Sequence, residues 1–163
     1  MVKRKRVDTK KVFWVVFCLA VALVVYLSWS ARKSEMPVQL FSVIDGNTVV
    51  FSGGKTVRLL GVEMTQIDTE LKKQYLSAFL RNKNIWLEYD KYLKDESGFD
   101  LVWMWVGCEG APKFWAVRGE GENPVNCKKG AMVNEQLIKM GMSKVYFPDN
   151  NIGVRYERRL YSL

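Results

Sequence analysis

The chain has 163 residues, enough for one globular domain together with a non-globular segment. It contains no histidine, which excludes a Ser-His-Asp triad and a histidine-ligated zinc site. The net charge of +8 is concentrated at the N-terminus, because residues 1–31 contain six of the 25 basic residues and one of the 17 acidic ones. The rest of the chain has a net charge of only +3, so its composition gives weak support for a polyanionic partner.

An uncharged apolar run at residues 12–31, VFWVVFCLAVALVVYLSWSA, follows the basic segment 1–11. Its length matches one transmembrane helix. The preceding basic residues predict a single-pass membrane protein with a cytoplasmic N-terminus and an extracytoplasmic folded domain. A signal peptide cleaved near Ala31 is the alternative interpretation. Residues 32–37 are predicted to be a linker, and residues 38–163 the folded domain.

The elements of the domain are predicted in chain order from apolar periodicity and turn residues. Three strands, separated at Asp45-Gly46 and Gly53-Gly54, precede a helix in TELKKQYLSAFLRNKN, whose apolar face is predicted to contain Leu71, Tyr75, Ala78 and Phe79. Two further strands, IWLEYDKYL and FDLVWMWVG, precede a polar insertion at 109–126 and two short helices. This order predicts a β-barrel plus α fold, a five-stranded OB-fold barrel with two to three helices.

The strand FDLVWMWVG is apolar on both faces, so both faces are expected to be covered. Trp103 and Trp105 share one of them. Either the insertion, which contains Phe114 and Trp115, folds over these side chains, or a protein partner or a membrane surface covers them. These four aromatic residues are the predicted interaction surface.

Cys108 and Cys127 bracket the insertion. In an oxidising compartment they are expected to form a disulfide. Two free thiols and a metal-binding pair are the alternatives, and the absence of histidine disfavours the metal pair.

Three segments, VIDGNTVVF, VRLLGVEM and MVNEQLIKMGMSKVY, resemble the staphylococcal nuclease (thermonuclease-like) family between Val38 and Tyr146. The resemblance implies an OB barrel with three helices and calcium-dependent hydrolysis of DNA or RNA phosphodiesters. It assigns the family's metal positions to Asp45, Asn47 and Glu63, with Met64 after them. It assigns the catalytic positions to Arg58, Gln66 and Phe99.

Several of these positions carry side chains unsuited to the implied reaction. Asn47 offers one neutral oxygen where calcium prefers a carboxylate, and the thioether of Met64 is a poor calcium ligand. Gln66 cannot accept a proton, and Phe99 cannot stabilise charge on phosphorus. In such a site Arg58 would be a structural residue paired with Asp45 or Glu63, and Lys91 or Lys94 would be the nearby cations able to reach in.

The sequence therefore predicts a membrane-anchored, non-catalytic member of this family, a scaffold subunit of a membrane-associated assembly. It would bind the membrane through residues 12–31, and a protein partner, without a cofactor. The alternative is an active nuclease with calcium as cofactor. A second alternative is a nucleic-acid binder that does not cleave.

Overall fold

A computed structural model describes residues 17, 21, 36–66, 69–116, 119, 121–147 and 153–163. The chain divides into two compact units, Met1–Ser34 and Glu35–Leu163. The predicted segments 1–11 and 12–31 lie outside the described residues, apart from Phe17 and Val21. No helix within the described ranges combines the length and apolarity needed to cross a membrane.

Eight strands are present in the described part of the second unit. The larger sheet has the order β1-β2-β3-β6-β5, with β7 added to β6, and β4 pairs with β8 in a separate two-stranded sheet. All of these pairings are antiparallel except that of β3 with β6. The strands are β1 (Leu40–Val43), β2 (Thr48–Phe51), β3 (Thr56–Leu59), β4 (Val62–Met64), β5 (Ile85–Lys94), β6 (Asp100–Val106), β7 (Ala131–Met132) and β8 (Ser143–Val145).

The closed barrel predicted from the sequence is not formed by the described strands. A single bridge connects the two ends of the larger sheet, where the Val38 N–H donates to the Ile85 carbonyl at 2.8 Å. The prediction of three strands before the helix also missed β4, which leaves the larger sheet after the turn at Gly61.

Three α-helices accompany the sheets in the described part of the second unit: α1 (Thr69–Leu80), α2 (Val133–Lys139) and α3 (Glu157–Tyr161). The predicted apolar face of α1 was partly wrong, because Leu71 is exposed and the buried positions are Lys72, Leu76 and Leu80. Tyr75 and Phe79 are only partly buried at the edge of the core. The mixed sheet and three helices are consistent with a fold of the OB type.

Both faces of β6 are covered, as its sequence predicted. Val102, Met104 and Val106 lie in the core beneath α1 and α2. Trp103 and Trp105, on the other face, belong to a second cluster. Half of its other buried members come from the chain after β8; the full set is Leu60, Trp86, Cys127, Met132, Phe147, Val154, Tyr156 and Leu160.

Asn134, the second residue of α2, is a buried side chain that connects the helix to the sheet. Its side-chain oxygen accepts a hydrogen bond from the Met104 N–H at 3.0 Å, and its amide donates to the carbonyls of Leu60 (2.8 Å) and Val102 (3.2 Å). This buried amide therefore makes hydrogen bonds to three backbone groups inside the protein. It fixes α2 against β6 and the end of β3.

Candidate active site around Arg58

The turn between β1 and β2 is joined to Arg58 by a chain of hydrogen bonds. Asp45 Oδ1 accepts from the Asn47 N–H at 2.9 Å. The Thr48 hydroxyl donates to Asn47 Oδ1 at 3.1 Å and accepts from Arg58 Nε at 3.0 Å. Because Thr48 and Arg58 are partners in the β2–β3 register, the sheet itself brings the turn and the arginine together.

Arg58 has an ion-pair partner that the sequence interpretation missed. Its guanidinium lies 2.5 Å from Asp95 Oδ2, not against Asp45 or Glu63. Asp95 Oδ1 also accepts from the Phe99 N–H at 2.8 Å, and the guanidinium lies 5.5 Å from the centre of the Phe99 ring. The parallel β3–β6 pairing was the missing information, since it carries the turn before β6 to Arg58.

Glu63 is paired with a lysine across the small sheet. Its carboxylate lies 2.8 Å from Lys144 Nζ, and its side chain remains 44% exposed. The hydrogen bond that Lys144 donates to Glu63, and then the charge of Glu63, raise the pKa of Lys144. A cation that binds Glu63 must therefore compete with Lys144.

Lys72 is a buried cation beside the Asp45–Asn47 turn, and no sequence pattern singled it out. Its Nζ donates to the Thr65 carbonyl at 2.5 Å, and burial lowers its pKa. A β-carbon added to Gly46 would lie 2.5 Å from Met64 Sδ and 2.9 Å from Lys72 Cβ. The lysine stem and the thioether therefore pack directly beneath the turn, which requires glycine at position 46.

Gln66 is exposed at the end of the described segment before residues 67 and 68, and its side chain has no hydrogen bond to the rest of the described chain.

Lys94, one of the two lysines considered from the sequence as nearby cations, is held by Asp100 at 2.7 Å and by the Gly98 carbonyl at 3.2 Å. It therefore does not replace the arginine that is absent at Phe99.

The oxygen donors at this site fit a hard cation such as calcium in kind. Asp45 and Glu63 offer carboxylates and Asn47 offers an amide oxygen, which are all ligand types that calcium accepts. They supply few negative charges, and within the described ranges no group of three or more His, Cys, Asp or Glu side chains is arranged to hold a metal ion. The donor set therefore indicates weak cation binding.

The predicted interaction surface is wrong for Trp103 and Trp105, which are fully buried. The ring of Tyr156 lies 5.2 Å from that of Trp103 and 5.5 Å from that of Trp105. The C-terminal segment supplies most of this cover, a role that the sequence interpretation had assigned to the insertion or to a partner. Phe114 is half-buried, and Trp115 is 80% exposed.

A buried carboxylate, Glu88, anchors that C-terminal segment. It accepts hydrogen bonds from Trp105 Nε1 at 2.9 Å and from the Tyr156 hydroxyl at 3.1 Å, and it pairs with Arg155. Burial raises the pKa of Glu88 and that of Tyr156. These groups satisfy one another within the second cluster, and they are structural.

The insertion is closed by a disulfide between Cys108 and Cys127, as predicted. Its loop also contacts the C-terminal segment, because Arg155 donates to the Phe114 carbonyl at 2.9 Å. Because the disulfide joins both sulfur atoms, neither cysteine is a thiolate that could bind a metal ion.

Comparison with known proteins gives two similar chains. The chain is 27% identical over 142 residues to a thermonuclease of Staphylococcus hyicus, covering 80% of this chain and 70% of that protein. It is 31% identical over 166 aligned positions to a thermonuclease of Staphylococcus intermedius, covering 87% of this chain and 86% of that protein. No protein-family model matches the chain.

Proposed function

We propose that this chain, which belongs to the thermonuclease family, slowly hydrolyses the phosphodiester backbone of nucleic acids at the site around Arg58. Two relatives named thermonucleases align with most of the chain, which favours the nuclease alternative over the predicted scaffold role. The observation that carries the proposal is the hydrogen-bonded connection of Arg58, through Thr48, to the turn that contains Asp45 and Asn47.

Arg58 is the phosphate-binding group in this proposal. A guanidinium presents parallel donors that match two oxygens of a phosphate. Its side chain is 31% exposed, so a phosphate can approach it, but the phosphate must exchange with Asp95. The ion pair between Arg58 and Asp95 therefore reduces the affinity of Arg58 for phosphate.

The carboxylates of Asp45 and Glu63 and the amide oxygen of Asn47 would hold a calcium ion. When bound, calcium supplies charge neutralisation and Lewis-acid stabilisation of the phosphoryl oxygens. Lys144 must release Glu63, and Lys72 adds a buried positive charge behind the turn. Both cations oppose occupancy, so activity is expected only at high calcium concentration.

Gln66 orients water but cannot remove its proton, because a neutral amide is not a base near neutral pH. Phe99 provides no donor to the developing charge, and the loss of one such donor typically costs about a hundred- to a thousand-fold in rate. The proposed reaction is therefore slow and depends on hydroxide from solvent.

Digestion of single-stranded DNA by the full chain, with calcium or with a chelator, tests the proposal. Slow hydrolysis that requires calcium and is lost in Arg58→Ala is the expected result. Hydrolysis that persists unchanged in Arg58→Ala would come from a contaminant or another site and would contradict the proposal.

A non-cleaving member of the family is the second candidate, favoured by one specific observation: Arg58 is already neutralised by Asp95 and covered on one side by Phe99. In that case wild type and Arg58→Ala would show the same background in the digestion assay. The attachment of the chain to a membrane through residues 12–31, and its assembly with a protein partner, stay predictions from the sequence.

A further inference from the structure

A groove runs between β1 and α1, beginning next to the Asp45–Asn47 turn. Two adjoining cavities of about 550 and 490 Å³ share Phe41, Ser77 and Arg81 in their walls, so they form one continuous depression. At one end it is lined by Val43, two residues before Asp45, and at the other by Asn82–Asn84. We call it the β1–α1 groove.

The β1–α1 groove is basic although the domain as a whole is nearly neutral. Among the described residues that line it, Lys73, Arg81 and Lys83 are basic and Glu70 is acidic. The remaining polar lining consists of amides and hydroxyls, which also bind phosphate and sugar oxygens: Gln39, Ser42, Gln74, Ser77, Asn82 and Asn84. This composition complements a polyanion.

Phe41 provides an aromatic face in the same groove. The pairing of β1 with β2 is irregular between Leu40 and Ser42, and Phe41 lies at this bulge. A bulge re-aims the side chain it contains, and the ring of Phe41 is 76% exposed. Exposed aromatic rings beside basic groups are typical of surfaces that stack the bases of single-stranded nucleic acids.

We propose that the β1–α1 groove binds single-stranded polynucleotide that extends from the Arg58 site. Arg81 and Lys83 contact backbone phosphates, and Phe41 stacks on a base. The inference rests on the proposed function, because the strand that occupies the groove is the one presented to Arg58. It goes further by assigning the path that the strand follows outside the residues around Arg58.

The test measures affinity for a fluorescent oligothymidylate of about 12 nucleotides, within the usual site size for single strands, by anisotropy of the full chain in chelator. Arg81→Ala/Lys83→Ala is expected to weaken binding about tenfold at moderate salt. It should also reduce the slope of log affinity against log salt by about 1.4, since each single-strand phosphate contact contributes about 0.7. Phe41→Ala is expected to weaken binding about tenfold with the slope unchanged.

Two matched variants distinguish binding in this groove from nonspecific electrostatic attraction and from nonspecific contact with exposed aromatic rings. Lys113→Ala/Lys128→Ala removes two exposed cations, one in the disulfide loop and one directly after it, and Trp115→Ala removes another exposed aromatic ring. Both are expected to bind as wild type does. Equal weakening by the groove variants and their controls, or no weakening by the groove variants, would overturn the inference.

The two proposals fail in different ways. Arg58→Ala is expected to abolish calcium-dependent hydrolysis, and Arg81→Ala/Lys83→Ala is expected to weaken binding in the Arg58→Ala background as it does in wild type. If wild type binds the oligothymidylate through the groove but does not hydrolyse it, only the nuclease proposal fails. If it hydrolyses but the groove variants bind normally, only the groove inference fails.

Discussion

At the scale of single residues, two side chains that the proposed nuclease site needs are already engaged in ion pairs. Arg58 is held by Asp95, and Glu63 is held by Lys144. Each pair is partly exposed, so each contributes little to folding stability and can be exchanged for a ligand. Gln66 differs, because no rearrangement gives an amide a basic pKa.

Gln66 is expected to determine the pH dependence of hydrolysis. Without a side-chain base, the logarithm of the wild-type rate should rise by about one unit per pH unit above neutrality, because hydroxide takes the proton. Gln66→Glu should be faster at neutral pH and should show a flatter profile. Initial rates across pH at saturating calcium check this, and a flat wild-type profile would indicate a base elsewhere.

Lys72 is expected to stabilise α1 through its stem and not through its charge. Lys72→Met keeps the stem volume, so the free energy of unfolding should stay within about 1 kcal/mol of wild type, whereas Lys72→Ala should lose about 2 kcal/mol to a cavity. Urea unfolding at neutral pH measures both variants. A loss in Lys72→Met as large as that in Lys72→Ala would show that the ammonium is essential.

The lowered pKa of Lys72 gives this prediction a second check. The unfolded lysine, with its ordinary value of 10.5, holds the proton more tightly than the folded one, so wild-type stability should rise as pH increases towards that value. Lys72→Met should lack this contribution to the alkaline rise.

At the scale of elements, α2 and α3 are joined by one carboxylate. Glu135 on α2 pairs with Lys139 on its own helix and with Arg159 on α3. Arg159 also donates to the Gly121 carbonyl at 2.9 Å and to Asn123 Oδ1 at 2.7 Å. The short α3 is therefore positioned by tertiary contacts, since five residues cannot form a stable helix alone.

Glu135→Gln is expected to lower the free energy of unfolding by about 2 kcal/mol at neutral pH, through the loss of charged hydrogen bonds. Burial acts to raise the pKa of Glu135, but the hydrogen bond from Lys139 and the charge of Arg159 outweigh it and lower the pKa. Its contribution is therefore present above the ordinary value of 4.5 and is lost as pH falls through the lowered folded value.

Chemical denaturation at neutral and acidic pH should show the difference between wild type and Glu135→Gln shrinking in acid. Glu96→Gln, at an exposed turn, is the matched control and should follow wild type throughout. A difference that stays constant with pH would assign the effect to packing.

The disulfide is expected to stabilise the loop that it closes. Cys108 and Cys127 are separated by 19 positions, and closing a loop of this size stabilises by about 3 kcal/mol in the chain-entropy description. Cys108→Ser/Cys127→Ser should lose about that amount in urea unfolding. Reductant should bring wild type to the same value without affecting the variant, and an unaffected wild type would contradict the prediction.

At the scale of the whole molecule, the sequence predicted the individual strands and helices better than it predicted whether the strands close into a barrel. The local patterns of apolar and turn residues located β5, β6 and α2. The two-sided apolar pattern of β6 also predicted that both faces would be covered. It did not reveal that the cover is Tyr156 and its neighbours, since nothing local links that segment to Trp103 and Trp105.

The site residues Arg58, Asn47 and Glu63 were assigned from the family resemblance, and their roles in catalysis stay predictions. Asp95 and Lys72 could not be identified, since their contacts depend on the parallel β3–β6 pairing and on which face of α1 is buried. Asp95 is distant from Arg58 in sequence, and the local pattern of α1 does not show that the stem of Lys72 is buried.

The rate of calcium-dependent hydrolysis of single-stranded DNA, compared between wild type and Asn47→Asp/Gln66→Glu/Phe99→Arg, tests the central claim most directly. Returning a ligand carboxylate, a base and a cationic donor should raise the rate at least about a hundredfold, and adding Arg58→Ala should remove the gain. A correctly folded triple variant with no gain, or a wild type already as fast as the triple variant, would contradict the account.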